Sequence, residues 1–220
     1  MQVAEAKDTR GDFPLRTVFL HRNKEPCMRV GVVLVDSVLG QGADAFCAAI
    51  RRASGRVCHV GLLVYNAGKA AELPAGTFIV ENAYATGAAD SLTGKNRYGA
   101  QIEDFAQRAI KWGRFGVRWL QEIDDGLFLK AFWALRNVSY SLDPLNYERL
   151  LERRYVTWPP ELVCSTFVAV FLYKLGCLTP APLAYNALPT DFAGNDLPLS
   201  CWQERLYNST GAVLSPSLLP

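Results

Sequence analysis

Residues 57–65 read Val-Cys-His-Val-Gly-Leu-Leu-Val-Tyr, an apolar and largely β-branched run that predicts a buried strand. A second such run, Thr-Phe-Ile-Val-Glu-Asn-Ala at 77–83, predicts another strand. The segment between them, 66–76, contains the glycine, alanine and proline residues typical of a connecting turn. These three segments therefore predict a hairpin with a long loop.

The hairpin carries one of only two histidines in the chain. Side chains alternate along a strand, so His59, Gly61 and Leu63 share one face and Cys58 points to the other. If the loop is centred near residue 70 or 71, His59 lies opposite Glu81 or one diagonal step away, on the same face and within cross-strand reach. A carboxylate beside an imidazole can fix its tautomer and stabilise the imidazolium.

Each of these two side chains also has an ordinary interpretation. A histidine in an apolar strand is more often a packed residue than a catalyst, and a glutamate near the end of a strand is more often a solvated carboxylate. The other histidine, His21, lies in the polar stretch His-Arg-Asn-Lys-Glu-Pro, which predicts an exposed loop. The pair His59 and Glu81 therefore does not by itself predict catalysis, which would also require a nucleophilic side chain.

The candidate partner is Cys164, in the stretch Pro-Pro-Glu-Leu-Val-Cys-Ser-Thr-Phe-Val at 159–168. Proline is tolerated in the first turn of a helix, so the two prolines predict that a helix starts just before this cysteine. There the helix dipole and the free N–H groups favour a thiolate and can bind an oxyanion. Phe167 and Phe171 lie on the same side of this helix, a pattern that equally fits a cysteine packed in the core.

The remaining segments predict a mixture of strands and helices, and thus an α+β fold. No element is predicted after about residue 194. The predicted strands are 29–36 and 114–120, and the predicted helices are 43–53, 101–110, 128–138, 145–155 and the apolar stretch 162–178.

The composition is that of one ordinary globular domain, with 220 residues, 50% of them hydrophobic, and a formal net charge of +2. Nucleic-acid-binding domains concentrate basic residues on one face. The best candidate for such a face, residues 148–154, interleaves arginine with glutamate, so no nucleic-acid partner is predicted. The stretch 162–178 is short for a membrane span and holds polar residues, so a buried helix is predicted there instead.

The six cysteines include no C-x-x-C pair, so the usual zinc and redox spacings are missing, and neither a metal nor another cofactor is predicted. A chain of this size does not need a disulfide framework. Most of the cysteines are therefore predicted to be reduced, buried side chains. Residues 1–11 lack the apolar core of a secretory signal, which together with the reduced cysteines predicts a cytoplasmic or other reducing compartment.

Several segments, taken in their order along the chain, resemble the circularly permuted branch of the NlpC/P60 superfamily of papain-like thiol enzymes. That branch includes YiiX/YaeF-like amidases and poxvirus members, and more distantly the lecithin:retinol acyltransferase group. Ordinary members carry the cysteine first, whereas here the histidine strand comes first. The matching segments are Arg29-Val-Gly-Val-Val-Leu-Val-Asp36, Cys58-His59-Val-Gly-Leu-Leu-Val64, Phe78-Ile-Val-Glu81-Asn-Ala83, Val138-Ser-Tyr140, Val163-Cys164-Ser165-Thr166 and Leu188-Pro-Thr-Asp191.

The resemblance implies a permuted papain-like fold, in which a small antiparallel sheet carrying the histidine and the glutamate packs against the cysteine helix. That domain would span 29–195, with an N-terminal extension at 1–28 and a C-terminal tail at 196–220. Three features depart from the family pattern and leave the choice of substrate open. The acidic residue of the family's usual opening Gly-Asp has no clear counterpart here. The chain has Val163 where the family often has an aromatic residue, and Thr166 where an acidic residue is common.

The resemblance also implies roles for individual side chains. Cys164 would be the nucleophile, His59 its base and Glu81 the residue that orients His59, with Tyr140 and Ser165 as weaker candidates for substrate contact. The implied function is a thiol hydrolase, namely an amidase, peptidase or esterase. An acyltransferase acting on lipid-like acyl groups and a non-catalytic interaction protein with the same fold are the alternatives. The expected substrate is a small-molecule, peptide or lipid-like acyl or amide compound, and the oligomeric state is left open.

Overall fold

A computed structural model describes most of the chain. The described residues are 28–36, 48, 50–52, 57–68, 70–84, 88–120, 123–154, 161–178, 186–193, 204–208 and 213–214. The predicted N-terminal extension, including His21, lies outside them, except for Met28. Of the predicted helix 43–53, residues 48 and 50–52 are helical and the rest is not described.

One antiparallel sheet forms the centre of the protein, and its strand order is β4-β3-β2-β1-β5-β8-β9. Strands β6 and β7 form a separate two-residue parallel pair. The predicted α+β class with an antiparallel sheet is confirmed. The strands are β1 Met28–Val35, β2 His59–Asn66, β3 Gly76–Ala83, β4 Gly99–Asp104, β5 Arg114–Trp119, β6 Ser139–Tyr140, β7 Glu161–Leu162, β8 Glu204–Asn208 and β9 Val213–Leu214.

Aspartate side chains cap the N-termini of three of the four α-helices whose bounds the structure gives. Asp104, Asp124 and Asp143 each accept a hydrogen bond from a backbone N–H in the first turn, at 2.9, 2.8 and 2.9 Å. These N-caps satisfy donors that a helix leaves unpaired. The helices are α1 Phe105–Ala109, α2 Asp125–Leu135, α3 Pro144–Leu151 and α4 Cys164–Lys174, followed by a short 3-10 helix at Pro189–Phe192.

The alternation of side chains gives the sheet two buried faces with different partners. The helix face contributes Val60, Leu62 and Val80 to a core shared with α2 and α4. The aromatic face contributes Leu63 and Ile79 to a second core. The partners on the aromatic face are Phe105, Ala109, Trp112, Phe115, Val117 and Trp119. Apolar side chains on both faces explain why the strands read as continuous hydrophobic runs.

Gly99, at the start of β4, allows the close approach of the segment that carries β6. Its φ is +107°, and a Cβ there would lie 2.5 Å from the Val138 carbonyl oxygen. The next residue, Ala100, donates its backbone N–H to that same oxygen at 3.1 Å. Only glycine tolerates both this conformation and this contact. Tyr140 is therefore held against the edge of the sheet.

The predicted secondary structure is wrong in two regions of the chain. The segment 101–110 is a strand up to Asp104 and a helix only from Phe105. Its first part follows the two-residue period of a strand, since Ala100 and Ile102 pack in the core of the helix face. The end of the chain, where no element was predicted, contains β8 and β9. β8 pairs with β5, a partner about ninety residues away in sequence that local patterns do not reveal.

Cys58 is an exception to the prediction that most of the cysteines are reduced. Cys58 is buried and disulfide-bonded, with its partner outside the described residues. The spacing of cysteines along the chain does not show which of them the fold brings together. Cys164 and Cys177 are free thiols. Among the described residues, no helix combines the length and the apolar character needed to cross a membrane.

Candidate active site

The register between β2 and β3 brings His59 and Glu81 together. Leu63 pairs with Ile79, so continuing the ladder places Gly61 opposite Glu81, and His59 lies one diagonal step further along the same face. The predicted shared face is confirmed. His59 Nε2 and Glu81 Oε2 form a hydrogen bond, and both side chains are buried.

Gly61 is the residue between them on this face. A Cβ at Gly61 would lie 3.4 Å from Glu81 Cβ and 2.7 Å from Ile79 Cδ1. A side chain there would clash with Ile79, on the strand that carries Glu81. The glycine in the His-Val-Gly sequence therefore lets β2 and β3 pack closely at the position opposite Glu81.

Cys164 is the first residue of α4 and is 3% exposed. The predicted helix start near this cysteine is confirmed, but β7 Glu161–Leu162 lies between the two prolines and the helix, so the prolines are not part of its first turn. Cys164 lies close enough to His59 for the charge of its thiol to act on the imidazole. The structure thus brings a thiol, an imidazole and a carboxylate together, and these are the group types that a thiol nucleophile with an oriented base requires.

Asn82 fixes the segment that leads into Cys164. Its Nδ2 donates to the Leu162 carbonyl oxygen at 2.7 Å and to the Ser139 carbonyl oxygen at 3.3 Å. One side chain of β3 therefore holds both β6 and β7. Neighbouring residues on a strand point to opposite faces. Glu81 and Asn82 thus position the base and the nucleophile segment from two sides of one strand.

Thr166 closes the start of α4. Its Oγ1 accepts the Val163 N–H at 3.1 Å. The first backbone hydrogen bond within the helix runs from Phe167 N–H to the Val163 carbonyl oxygen at 2.9 Å. The N–H groups of Cys164 and Ser165 precede that bond and lie at the positive end of the helix dipole. Thr166, which departs from the family pattern, thus provides the cap that Val163 lacks.

The charges in this site favour an imidazolium. Burial alone would lower the pKa of His59, but the negative charges of Cys164 and Glu81, and their hydrogen bonds, raise it to about 9. Burial would raise the pKa of Glu81, but the charges of Arg108 and then His59 hold it well below its usual value. At neutral pH the pair is therefore a buried imidazolium and a carboxylate.

We expect an NMR titration to show this directly, because the chain has only two histidines. The raised value means that His59 stays protonated up to a pH of about 9. The stabilisation that the bound proton provides is complete below about pH 6.5, the ordinary value, and is lost as the pH rises through 9. The Cε1–H resonance of His59 should titrate near pH 9, and Glu81→Gln should lower that midpoint. The His21→Gln variant shows which of the two histidine resonances belongs to His59. Midpoints near pH 6.5 for both histidines would contradict the contact between His59 and Glu81.

Tyr140 lies at this site, and Ser165 is less directly placed. Burial and then the negative charge of Cys164 raise the pKa of Tyr140, so its hydroxyl stays neutral beside the thiol. Its oxygen accepts a hydrogen bond from the Tyr147 hydroxyl at 2.9 Å. Ser165 is buried, and its Oγ has no hydrogen-bond partner among the described residues. Side chains of adjacent helical residues diverge, so Ser165 does not face the same way as Cys164.

The late Leu188–Asp191 segment packs near the nucleophile without joining it. Leu188 belongs to a small apolar cluster with Val163, the residue before Cys164. Asp191 accepts the Leu188 N–H at 2.8 Å and pairs with the guanidinium of Arg153. This segment therefore supports the entry to α4.

Sequence reasoning missed two members of the site, Asn82 and Arg108. Arg108, from α1, donates Nε–H to Glu81 Oε1 at 2.5 Å. Asn82 is buried and follows Glu81 within a strand that is otherwise hydrophobic, so a polar residue inside a buried run was an available signal, since such groups need a partner. Arg108 lies on a short helix of mixed polar and apolar residues, and its sequence context offered no such signal.

No family model matches the sequence, and neither the curated proteins nor the solved structures contain a match. Within the described ranges, no group of three or more His, Cys, Asp or Glu side chains could hold a metal ion.

Proposed function

We propose that this protein is a papain-like thiol hydrolase that acts through an acyl-enzyme on Cys164. The observation that carries the proposal is the buried cluster in which the thiol of Cys164 acts electrostatically on His59 and His59 is hydrogen-bonded to Glu81. The resemblance to permuted NlpC/P60 enzymes supports it, because the histidine strand, the acidic strand and the cysteine helix follow in that family's order. Within the α+β class, we accordingly propose the permuted papain-like fold for this protein.

In the acylation step, His59 holds the proton of the Cys164 thiol, and the thiolate attacks the carbonyl carbon of an amide or ester. The carbonyl π pair moves to oxygen and forms an oxyanion. Collapse of this tetrahedral intermediate breaks the bond to the leaving group, which takes the proton from the His59 imidazolium. A thioester on Cys164 and a neutral imidazole remain.

In the deacylation step, the neutral His59 removes a proton from water as the water oxygen attacks the thioester carbon. The second tetrahedral intermediate expels the Cys164 thiolate and releases the carboxylic acid. The imidazolium and the thiolate are restored. Glu81 stays ionised throughout and stabilises the imidazolium form of His59 in both steps.

Two groups are suited to bind the oxyanion. The N–H groups of Cys164 and Ser165, at the start of α4, point away from the helix where they lack intrahelical acceptors. The neutral hydroxyl of Tyr140, held by Tyr147, is a second donor close to Cys164. Such donors contribute most when water is excluded, and Cys164 is almost fully buried.

The acceptor in the second step decides between a hydrolase and an acyltransferase. Water gives an amidase, peptidase or esterase, whereas an amine or alcohol gives a transferase with the same three residues. The intact thiol, imidazole and carboxylate argue against a purely non-catalytic role. The substrate is proposed to be a small-molecule, peptide or lipid-like acyl or amide compound.

Detection of the acyl-enzyme on Cys164 tests the proposal. We expect p-nitrophenyl acetate to release one equivalent of nitrophenol in a burst and to leave an acetyl group on the Cys164 peptide, identified by mass spectrometry. Cys164→Ala should show no burst. Cys177, the other free thiol among the described residues, is the internal control and should stay unmodified in the burst phase. Acetylation spread over other side chains, with no burst, would contradict the proposal.

A panel of peptide amides, simple esters and phospholipids, offered with and without an added amine acceptor, then separates the alternatives. Free acid as the only product, whatever the acceptor, supports the hydrolase. Preferential formation of the acyl-amine or transesterified lipid shows an acyltransferase. A protein that forms the acyl-enzyme with none of these classes, and whose Cys164 reacts like an ordinary thiol, is an interaction protein.

A further inference from the structure

Arg108 is a buried arginine on the short helix α1, on the aromatic face of the sheet. Its side chain is 5% exposed, and its guanidinium lies over the ring of Trp112, 5.4 Å from the ring centroid. A buried guanidinium is costly unless its donors are satisfied by an anion. Here the main anion is Glu81, the same carboxylate that binds His59.

The contact between Arg108 and Glu81 uses two donors. Nε–H donates to Oε1 at 2.5 Å, and Nη2–H lies 3.3 Å from Oε2. A two-point contact of this kind fixes the plane of the carboxylate as well as its position. The stronger bond holds Oε1, which leaves Oε2 for the hydrogen bond to His59. The arginine thus sets which oxygen faces the imidazole.

The other groups around Glu81 do not fix the plane of its carboxylate in this way. From β4, Gln101 lies directly opposite and is neutral, and Glu103 is an acid whose Oε2 is 3.8 Å from Arg108 Nε. From the other elements come His59, Cys164 and Tyr140, of which only His59 contributes a hydrogen bond to the carboxylate. Arg108 is therefore the one permanently charged cation among these groups.

We propose that Arg108 is a positioning residue for the thiol chemistry of Cys164, which fixes the Glu81 carboxylate, keeps it ionised and thereby presents Oε2 to His59. The inference rests on the proposed function, in which His59 activates Cys164. Arg108 acts only through Glu81. The proposed set of interacting residues therefore has four members. Arg108 contacts the carboxylate of Glu81, which binds His59 beside Cys164.

A buried arginine can also serve folding alone, and the chain offers a matched control. Arg136 has the same 5% exposed side chain and donates Nη2–H to the buried Asp90 at 2.6 Å. Its guanidinium lies 5.5 Å from the centroid of Phe132, much as Arg108 lies over Trp112. Arg136 contacts neither His59 nor Glu81 in any hydrogen bond or ion pair given by the described residues.

The test is the rate of iodoacetamide labelling at Cys164 as a function of pH, in the full-length protein. Without the guanidinium of Arg108, the Glu81 carboxyl takes up a proton at a higher pH. We expect Arg108→Met to move the acidic midpoint of labelling upward by about one pH unit or more, in line with the effect of a neighbouring arginine on a carboxyl group. Arg136→Met should leave that midpoint in place, even if both variants unfold more easily.

A double substitution shows whether Arg108 acts through Glu81. In the Glu81→Gln background there is no carboxylate to hold, so adding Arg108→Met should move the midpoint no further. An additive further shift would show that Arg108 acts on the thiol directly and would overturn the inference. Equal midpoints for Arg108→Met, Arg136→Met and the wild type would also overturn it.

If Arg108→Met does not fold, Arg108→Lys decides the question. Lysine keeps the charge but loses the two-point contact, so labelling at pH 6 should slow about 3- to 10-fold, while Arg136→Lys has no such effect. Equal rates for these two lysine variants would overturn the inference. Failure of the proposed function is a separate result, since Cys164 would then label like an ordinary thiol in the wild type, whatever occupies position 108.

Discussion

Replacing His59 with alanine is expected to slow the alkylation of Cys164 by iodoacetamide at pH 6 by about 100-fold or more. An ordinary thiol with a pKa near 8.5 is less than about 1% thiolate at this pH, and only the thiolate reacts. In the proposed mechanism the imidazole of His59 takes up the proton of the Cys164 thiol, and alanine at position 59 cannot do so. The rate is measured by quantifying the labelled Cys164 peptide against time, from pH 4 to pH 9.

Two controls belong to this experiment. His21→Ala removes the only other histidine and should leave the rate unchanged. Cys177 is more exposed than Cys164, yet burial raises the pKa of its thiol and no imidazole contact is present among its described neighbours. At pH 6 the less exposed thiol should therefore react faster. If Cys177 is labelled first, and His59→Ala changes nothing, the catalytic interpretation of Cys164 fails.

The largest effect on folding is expected from Phe171→Ala, which should reduce the free energy of unfolding by about 3–5 kcal/mol. Phe171 is fully buried in α4, and its ring lies 5.0 Å from the Phe128 ring and 6.1 Å from the Phe167 ring. Truncation removes its apolar contacts and leaves a cavity between α4, α2 and the sheet. The measurement is urea-induced unfolding followed by circular dichroism.

Tyr173→Ala, two residues further along the same helix, is the matched control. The Tyr173 side chain is 40% exposed, so its removal should change the unfolding free energy by only about 0.5 kcal/mol. Similar losses for the two variants would mean that α4 does not bury the face that carries Phe171. Since Cys164 begins this helix, Phe171→Ala should also make its labelling rate more sensitive to urea.

The parts of the site that the sequence predicted depend on local rules. The two-residue period of β2 and β3, with a turn of known length, was enough to place His59 and Glu81 on one face. A helix was predicted to start just before Cys164, and α4 starts at Cys164, where Thr166 accepts the Val163 N–H. In each case the decisive interaction acts between residues close along the chain or across one hairpin.

The parts that were missed depend on contacts that no local pattern encodes. The role of Arg108 arises because β4 ends at Asp104 and a five-residue helix turns back over Glu81. Strand β8 exists because β5 offers an edge to pair with. The disulfide of Cys58 likewise depends on a distant partner. Long-range packing decides such features, and sequence spacing carries little information about them.

The order of the elements has a consequence for how the protein is made. A ribosome adds about 5–20 residues per second, starting from the N-terminus. The strands with His59 and Glu81, and the helix with Arg108, therefore leave the ribosome seconds before Cys164 does. The nascent chain thus never exposes this thiol without its base already synthesised. Until α4 follows, however, the apolar helix face of the sheet lacks the helix that packs directly on β2 and β3, and this apolar surface is available to a chaperone.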